Sequence, residues 1–312
     1  MDRNLALEFV RVTEAAAIAA ARWIGKGDAK KADGAAVDEM RDRFNQIDFS
    51  GTVVIGEGQK DEAPELYTGE KIGTGKAPIM DIAVDPLECT DSVAHGRYNA
   101  LSVIASGPRG SLLSAPDTYM EKIAVGPVAK KVIDLDASVA TNIRRAAHAL
   151  GKKTSEMTVV VLDRERHHTL IHDIRKAGAR VRLITDGDVA AGVAPCMPES
   201  GIDILMGIGG SAEAVLAGVA IKILGGEMLC RFKPKNEHHA ELVKKAGLTT
   251  KKIYSANDLA KGRMLTFTAT GVIDGPLLHG VRFLEKTIVT NSLVIRGQSG
   301  TVRYLTTHHH MR

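Results

Sequence analysis

The chain has 312 residues, 25% of them charged and 44% apolar, with a formal net charge of +4. These are the proportions of a globular protein long enough to bury a substantial core. Basic residues are spread along the chain, which argues against a nucleic-acid-binding tract, and no apolar run reaches the roughly 18 residues needed to span a bilayer. Met1-Asp-Arg-Asn leads into a helix carrying Glu8, Arg11 and Glu14, so a secretory signal is not expected. Cys89, Cys196 and Cys230 are widely separated and lack metal-ligand spacing, which predicts a reduced, cytoplasmic protein.

In chain order, residues 4–26 predict an amphipathic helix, with Leu5, Phe9, Val12 and Ala16 at helical spacing and Gly25 and Gly27 at its end. A second helix is predicted from about Ala32 to Gln46, with Asp33 at its start, where an aspartate ordinarily caps the helix or faces its dipole. Thr52-Val-Val-Ile is a β-branched strand running into Glu57, which glycines flank on both sides. Ile82, Ala83 and Val84 form another strand, expected to break at Pro86. Further strands follow at 100–105 and around 112–125, then a helix from Ser138 to Leu150 and a strand from Met157 to Leu162 ending in Asp-Arg164-Glu165-Arg166. After a helix over 171–177 come a strand at 181–184 ending in Asp186-Gly187-Asp188, a short helix, and a strand from Ile202 into the glycines before Glu213. The polar stretch 231–252 reads as an exposed excursion, and the chain closes on strands near 264–269 and 292–296. This alternation predicts an α/β layered fold with sites at strand ends. The chain is divided in prediction into a lobe over 1–135 and a second over 136–312.

Three stretches carry chemistry. At the Pro86 break, Asp85, Glu88 and the Thr90 hydroxyl lie within a few residues, and carboxylates converging there suit hard divalent cations. A solvated acidic turn is the plainer alternative. Gly207-Ile-Gly209-Gly210 between a strand and a helix offers backbone N–H groups to a phosphate. A Rossmann-type nucleotide site is a weaker fit, because the third glycine is missing at its usual spacing. Arg164 and Arg166 fit either a phosphate fork or a solvated basic loop.

Taken together, Asp33 after Gly-Asp, Val-Ile-Gly-Glu57-Gly, Asp85-Pro-Leu-Glu88-x-Thr90, Asp186-Gly-Asp188 and Gly-Ile-Gly-Gly210-x-x-Glu213 resemble the class II fructose-1,6-bisphosphatases in order and spacing. The likeness extends through Ala115-Pro-Asp-Thr-Tyr119-Met-Glu-Lys and Thr268-Ala-Thr-Gly271, over essentially the whole chain. It implies the layered α/β/α/β/α fold of the lithium-sensitive sugar and inositol phosphatases, dependence on Mn²⁺ or Mg²⁺, and hydrolysis of the 1-phosphate of fructose 1,6-bisphosphate, as in gluconeogenesis or the Calvin cycle. By the same resemblance, Asp33 and Glu57 hold one metal, and Asp85, Glu88 and Glu213 another. Thr90, Glu57 and Asp85 serve catalysis. Glu88, Cys89, Thr90, Tyr119, Arg164, Glu165, Arg166, Asp186, Gly187, Asp188 and Gly210 bind the sugar bisphosphate. A homo-oligomer is expected, with no nucleic-acid or membrane partner.

One position departs from the pattern. The family has glycine between the glutamate and the threonine, where this chain has Cys89. A side chain there crowds the site or demands a φ that cysteine adopts reluctantly, so lowered turnover is expected. Sedoheptulose 1,7-bisphosphate is a second candidate substrate. The competing readings are a phosphatase of inositol phosphates or nucleotide bisphosphates, and a binding protein weakened at Cys89.

Overall fold

The computed structural model of the chain describes residues 5–58 and 66–310. It divides into two compact units, Met1–Leu113 with Lys261–Arg312, and Ser114–Ala260. The first unit opens with α1 (Leu5–Ala21) and α2 (Ala29–Phe44), whose small and apolar residues share one face. Ala16, Ala17 and Ala20 are fully buried and allow close helix packing, while Phe9, Phe44 and Phe49 lock together at centroid distances of 5.5–5.8 Å. Then come β1 (Ser50–Ile55), β2 (Lys71–Ile72), β3 (Ile79–Glu88), α3 (Thr90–His95) and β4 (Ala100–Pro108).

The second unit holds β5 (Tyr119–Val125), α4 (Val139–Ala149), β6 (Thr158–Leu162), α5 (His168–Lys176), β7 (Arg180–Ile184) and α6 (Val189–Val193). It continues with β8 (Ile204–Gly210), α7 (Ser211–Ile223), β9 (Glu227–Phe232), α8 (Glu237–Lys245), β10 (Tyr254–Ser255) and α9 (Ala256–Leu259). The chain then returns to the first unit for β11 (Thr266–Ile273), β12 (Arg282–Phe283), β13 (Thr287–Arg296) and β14 (Thr301–His310).

Among the described residues the first unit carries an eight-stranded mixed sheet in the order β12-β13-β11-β4-β3-β1-β2, with β14 on β13. Helix α1 is tied to that sheet by buried polar contacts, Thr13 Oγ1 to Thr270 Oγ1 at 2.7 Å and the Thr290 hydroxyl donating to Glu14 at 3.1 Å. The second unit carries a six-stranded sheet, β10-β9-β5-β8-β6-β7. In it β6 pairs parallel with both β7 and β8. The loops leaving those three strands therefore start at the same sheet end, where α/β proteins place ligands.

The α/β fold stands, and several local expectations change. The boundary expected at residue 135 falls inside the second unit, and the expected C-terminal lobe is split. The reason is topological: β11 pairs antiparallel with β4, so the last strands complete the first sheet. Strand β3 does not stop at Pro86. It continues to Glu88 through a bulge, with Asp85 opposite Val103 and Glu88 opposite Leu101, and the proline sits where the ladder needs no donor. Asp33 is not the cap of α2, because Asp28 takes that place and accepts the Lys31 amide. The stretch beginning at Arg231 is partly structured, supplying the end of β9 and all of α8, which is anchored by the buried Val243.

Candidate functional site

In the first unit the expected residues form two clusters. Asp33 lies one turn into α2, half-buried, and Glu57 follows the end of β1. The Glu57 amide donates to the Leu66 carbonyl at 3.1 Å, and a Cβ at Gly56 would stand 1.9 Å from that same oxygen, so only glycine lets the chain turn there. Burial, and then the Asp33 carboxylate, push the Glu57 carboxyl up to about 8; burial also raises that of Asp33. Two carboxylates so placed favour a shared cation, and a hard divalent ion fits a pair of oxygen donors. Among the described residues no three His, Cys, Asp or Glu side chains gather into a metal-ligand group.

The second cluster is the turn from β3 into α3. Asp85 Oδ1 accepts the Leu87 amide at 3.1 Å, which turns the chain after Pro86, and Glu88 is buried. Cys89 is the N-cap of α3 with φ 73° and ψ 48°, the left-handed region, and is 6% exposed. Its Sγ accepts from Asn99 Nδ2 at 3.4 Å, and Asn99 is itself left-handed at φ 72°. The Thr90 hydroxyl donates to the Leu87 carbonyl at 3.0 Å, so its orienting partner is a backbone oxygen. Its lone pairs remain available to accept a hydrogen.

In the second unit the ends of β6, β7 and β8 bring together Arg164, Glu165 and Arg166, the 186–188 turn, and Gly210. Arg166 donates to the Ile208 carbonyl at 2.9 Å and lies 4.8 Å from the centre of the Tyr119 ring. The other side of the charge balance is Arg164 with Asp186, 3.7 Å apart and both partly exposed. Glu165 is exposed, and Gly187 turns the chain at φ 57°. Gly210 is the N-cap of α7, with Glu213 in the first helical turn. A Cβ at 210 would lie 1.9 Å from Glu213 Oε2, so glycine makes room for that carboxylate, whose pKa burial raises. Asp188, which the resemblance assigns to the sugar bisphosphate, accepts from Lys122 Nζ with both oxygens.

Three residues of this cluster escaped the sequence reading. Lys122 is buried in β5, and the signal for it was a lysine within an otherwise apolar Met-Glu-Lys-Ile-Ala-Val run. His167 is also buried. Its Nδ1 contacts the Leu162 carbonyl and its Nε2 accepts the Ile208 amide, both at 2.8 Å, which fixes it as a neutral ring; burial lowers its pKa accordingly. Gly207, at φ 146°, leaves a Cβ position 3.1 Å from that Nε2. Lys235 Nζ lies 4.2 Å from the centre of the Tyr119 ring, a contact that the loop sequence does not announce. Arg166 and His167 also line a cavity of about 180 Å³, walled by Leu135, Val139, Leu170 and Met206.

Carboxylates stand at strand ends in the first unit and cations beside a glycine turn in the second, donor types that suit a metal-dependent phosphatase. The model of the family described as bacterial fructose-1,6-bisphosphatase, glpX-encoded, matches residues 3–309, and the chain belongs to that family. It is 45% identical to fructose-1,6-bisphosphatase 1 class 2 of Escherichia coli K12 across 100% of this chain and 96% of that protein. The same identity and coverage hold for fructose-1,6-bisphosphatase class 2 of Shigella flexneri.

Proposed function

We propose that the chain hydrolyses the 1-phosphate of fructose 1,6-bisphosphate, giving fructose 6-phosphate and inorganic phosphate. The observation that carries this reading is the full-length family match, on a chain whose candidate residues gather at strand ends. Mn²⁺ or Mg²⁺ would be held by Asp33 and Glu57 and by Asp85 and Glu88, with Glu213 a further metal ligand that the family resemblance suggests, and with water completing sites that have few protein donors. Such ions screen the phosphate dianion and lower the pKa of bound water. Thr90, its proton engaged by the Leu87 carbonyl, presents lone pairs that accept a hydrogen from the attacking water and so aim it. Arg164 and Arg166 bind the phosphate that is kept, with Lys235 adding charge beside Tyr119. Asp186 accepts hydrogen bonds from sugar hydroxyls.

A homo-oligomer and a cytoplasmic setting belong to the same proposal. The first is supported by β14, an edge strand whose Val302 and Tyr304 are 40% and 61% exposed. The second rests on the sparse cysteines. Kinship with the lithium-sensitive phosphatases adds the expectation that Li⁺ inhibits turnover. The test is phosphate release, with Mn²⁺ present, from fructose 1,6-bisphosphate, sedoheptulose 1,7-bisphosphate, inositol monophosphate and adenosine 3′,5′-bisphosphate. Fructose 1,6-bisphosphate is expected to give the highest kcat/KM, and a higher value for the inositol or nucleotide substrate would overturn the assignment.

A further inference from the structure

Near the edge of the first sheet, two cations share one hydroxyl. Lys71 of β2 stands opposite Thr52 of β1, and Thr52 stands opposite Asp81 of β3, so the three form a row across neighbouring strands. Residues paired in this way project from the same face of a sheet. Lys71 Nζ donates to Thr52 Oγ1 at 2.6 Å, and Arg109 Nη1, from the turn after β4, donates to that same oxygen. Both lone pairs of the hydroxyl are thereby spent on cations. A lysine that ties an edge strand to its neighbour needs no second charge on the same atom.

The carboxylate in the row balances only part of this charge. Asp81 is buried, its Oδ2 accepts the Leu112 amide at 3.2 Å, and its Oδ1 lies 3.7 Å from Arg109 Nε, beyond hydrogen-bond reach. Lys71 forms no ion pair among the described residues. Two like charges drawn onto one buried oxygen repel, and water screens them incompletely there. Both side chains keep donors to spare, and both are exposed to solvent. Their place in the fold sets them apart from the catalytic carboxylates. Thr52 and Asp81 lie near the starts of the parallel strands β1 and β3, whereas Glu57 follows the end of β1, and Asp85 and Glu88 lie towards the end of β3. At the rise of a strand, the stretch from 52 to 57 spans roughly 16 Å, too far for one phosphate to meet both groups.

We propose that Lys71 and Arg109, gathered by Thr52, bind a phosphate dianion, free or as a monoester, at the opposite end of these strands from the carboxylates. An anion lying between the ammonium and the guanidinium removes their mutual repulsion and takes charge-assisted hydrogen bonds from both. Thr52 is the positioning residue, since its hydroxyl holds the two charges together before the anion arrives.

The test is equilibrium dialysis of the full-length protein against radiolabelled inorganic phosphate with Mg²⁺ present. Arg164→Ala with Arg166→Ala serves as the background, because it weakens phosphate retention at the substrate cations. In that background Lys71→Met and Arg109→Met are each expected to weaken phosphate binding about tenfold, the size of one lost charge-assisted hydrogen bond. Thr52→Val keeps the β-branched shape and is expected to weaken it about threefold, by releasing the two cations from each other. With both arginines intact, Lys71→Met should leave kcat and KM for fructose 1,6-bisphosphate within about twofold of wild type. Methyl phosphate tells the sources apart: tighter binding than inorganic phosphate assigns the site to esterified phosphate, and weaker binding to the free ion. Undiminished phosphate binding in Lys71→Met and Arg109→Met would overturn the proposal, as would a background protein that binds neither probe. A raised KM in Lys71→Met would also overturn it, by placing these cations in the substrate site. Should Arg109→Met fail to fold by thermal unfolding, Lys71→Met and Lys71→Gln decide the matter, since the Lys71 side chain is exposed.

Discussion

Two strand-to-helix turns, β3 into α3 and β8 into α7, face the same problem and solve it differently. Each must leave a sheet, start a helix and deliver an acidic side chain within a few residues, Glu88 in one and Glu213 in the other. The β8 turn uses glycine wherever space or dihedral is short: Gly207 takes φ 146°, and Gly209 and Gly210 leave room that a Cβ would fill. The β3 turn places Cys89 at φ 73° and pairs it with Asn99 at φ 72°. An L-residue there costs roughly 1–2 kcal/mol. Asn99 adds to the tension, since its buried Oδ1 has no hydrogen-bond partner among the described residues. What Cys89 contributes in return is apolar packing, because it lies within the core cluster of the first unit. The first turn thus trades backbone ease for buried contact, and the second keeps the backbone free and accepts an empty Cβ position.

The sharpest way to break the comparison is to put a Cβ where the second turn excludes one. Gly210 has φ −64°, which alanine adopts freely, and the nearest atoms a Cβ there would meet belong to Glu213, so Gly210→Ala is expected to act by crowding that carboxylate. A displacement of that carboxylate by about 1 Å is expected to cost about a hundredfold in kcat while the fold survives. Unchanged kcat would show that the empty Cβ position has no catalytic meaning.

A smaller effect separates the carboxylate pair from both turns. The Glu57 carboxyl ionises near 8 in the folded protein against an ordinary 4.5, so the unfolded chain releases that proton first. Its contribution to stability is complete below about 4.5 and is lost as pH rises through about 8. The melting temperature of metal-stripped protein should therefore fall between pH 5 and 8.5, less so in Glu57→Gln. An identical slope in the variant would refute the assignment.

The smallest effect is expected at Cys89. Cys89→Gly releases the left-handed strain but gives up buried packing and adds freedom to the unfolded chain, so stability should change by less than about 1 kcal/mol. Turnover is the sensitive readout, and it is expected to rise as Glu88 and Thr90 relax. Equal or lower turnover on fructose 1,6-bisphosphate under reducing conditions would show that the cysteine is fully accommodated.

Much of this site was legible because its chemistry sits in short motifs. Gly56-Glu57-Gly58, the 85–90 turn and the glycines before Glu213 announce their places at strand ends by residue type and spacing, and the conditional reading of strain at Cys89 is met by its φ. What stayed hidden depends on partners distant in sequence. Lys122 and Asp188 meet across 66 positions, and no local pattern says that an aspartate beside a helix start will be drawn to a strand lysine. Pro86 misled because a bulge absorbs it, a choice fixed by β4 and not by the neighbours of the proline. The lobe boundary was missed for the same reason, since only the pairing of β11 with β4 returns the chain to the first sheet.

The central claim is that strand-end carboxylates make this chain a cation-dependent sugar bisphosphatase. Its most direct test is phosphate release from fructose 1,6-bisphosphate by purified protein, before dialysis against EDTA, after it, and after Mn²⁺ or Mg²⁺ is returned. Release should vanish on chelation and come back with the ion; full activity in the exhaustively chelated protein would contradict the account.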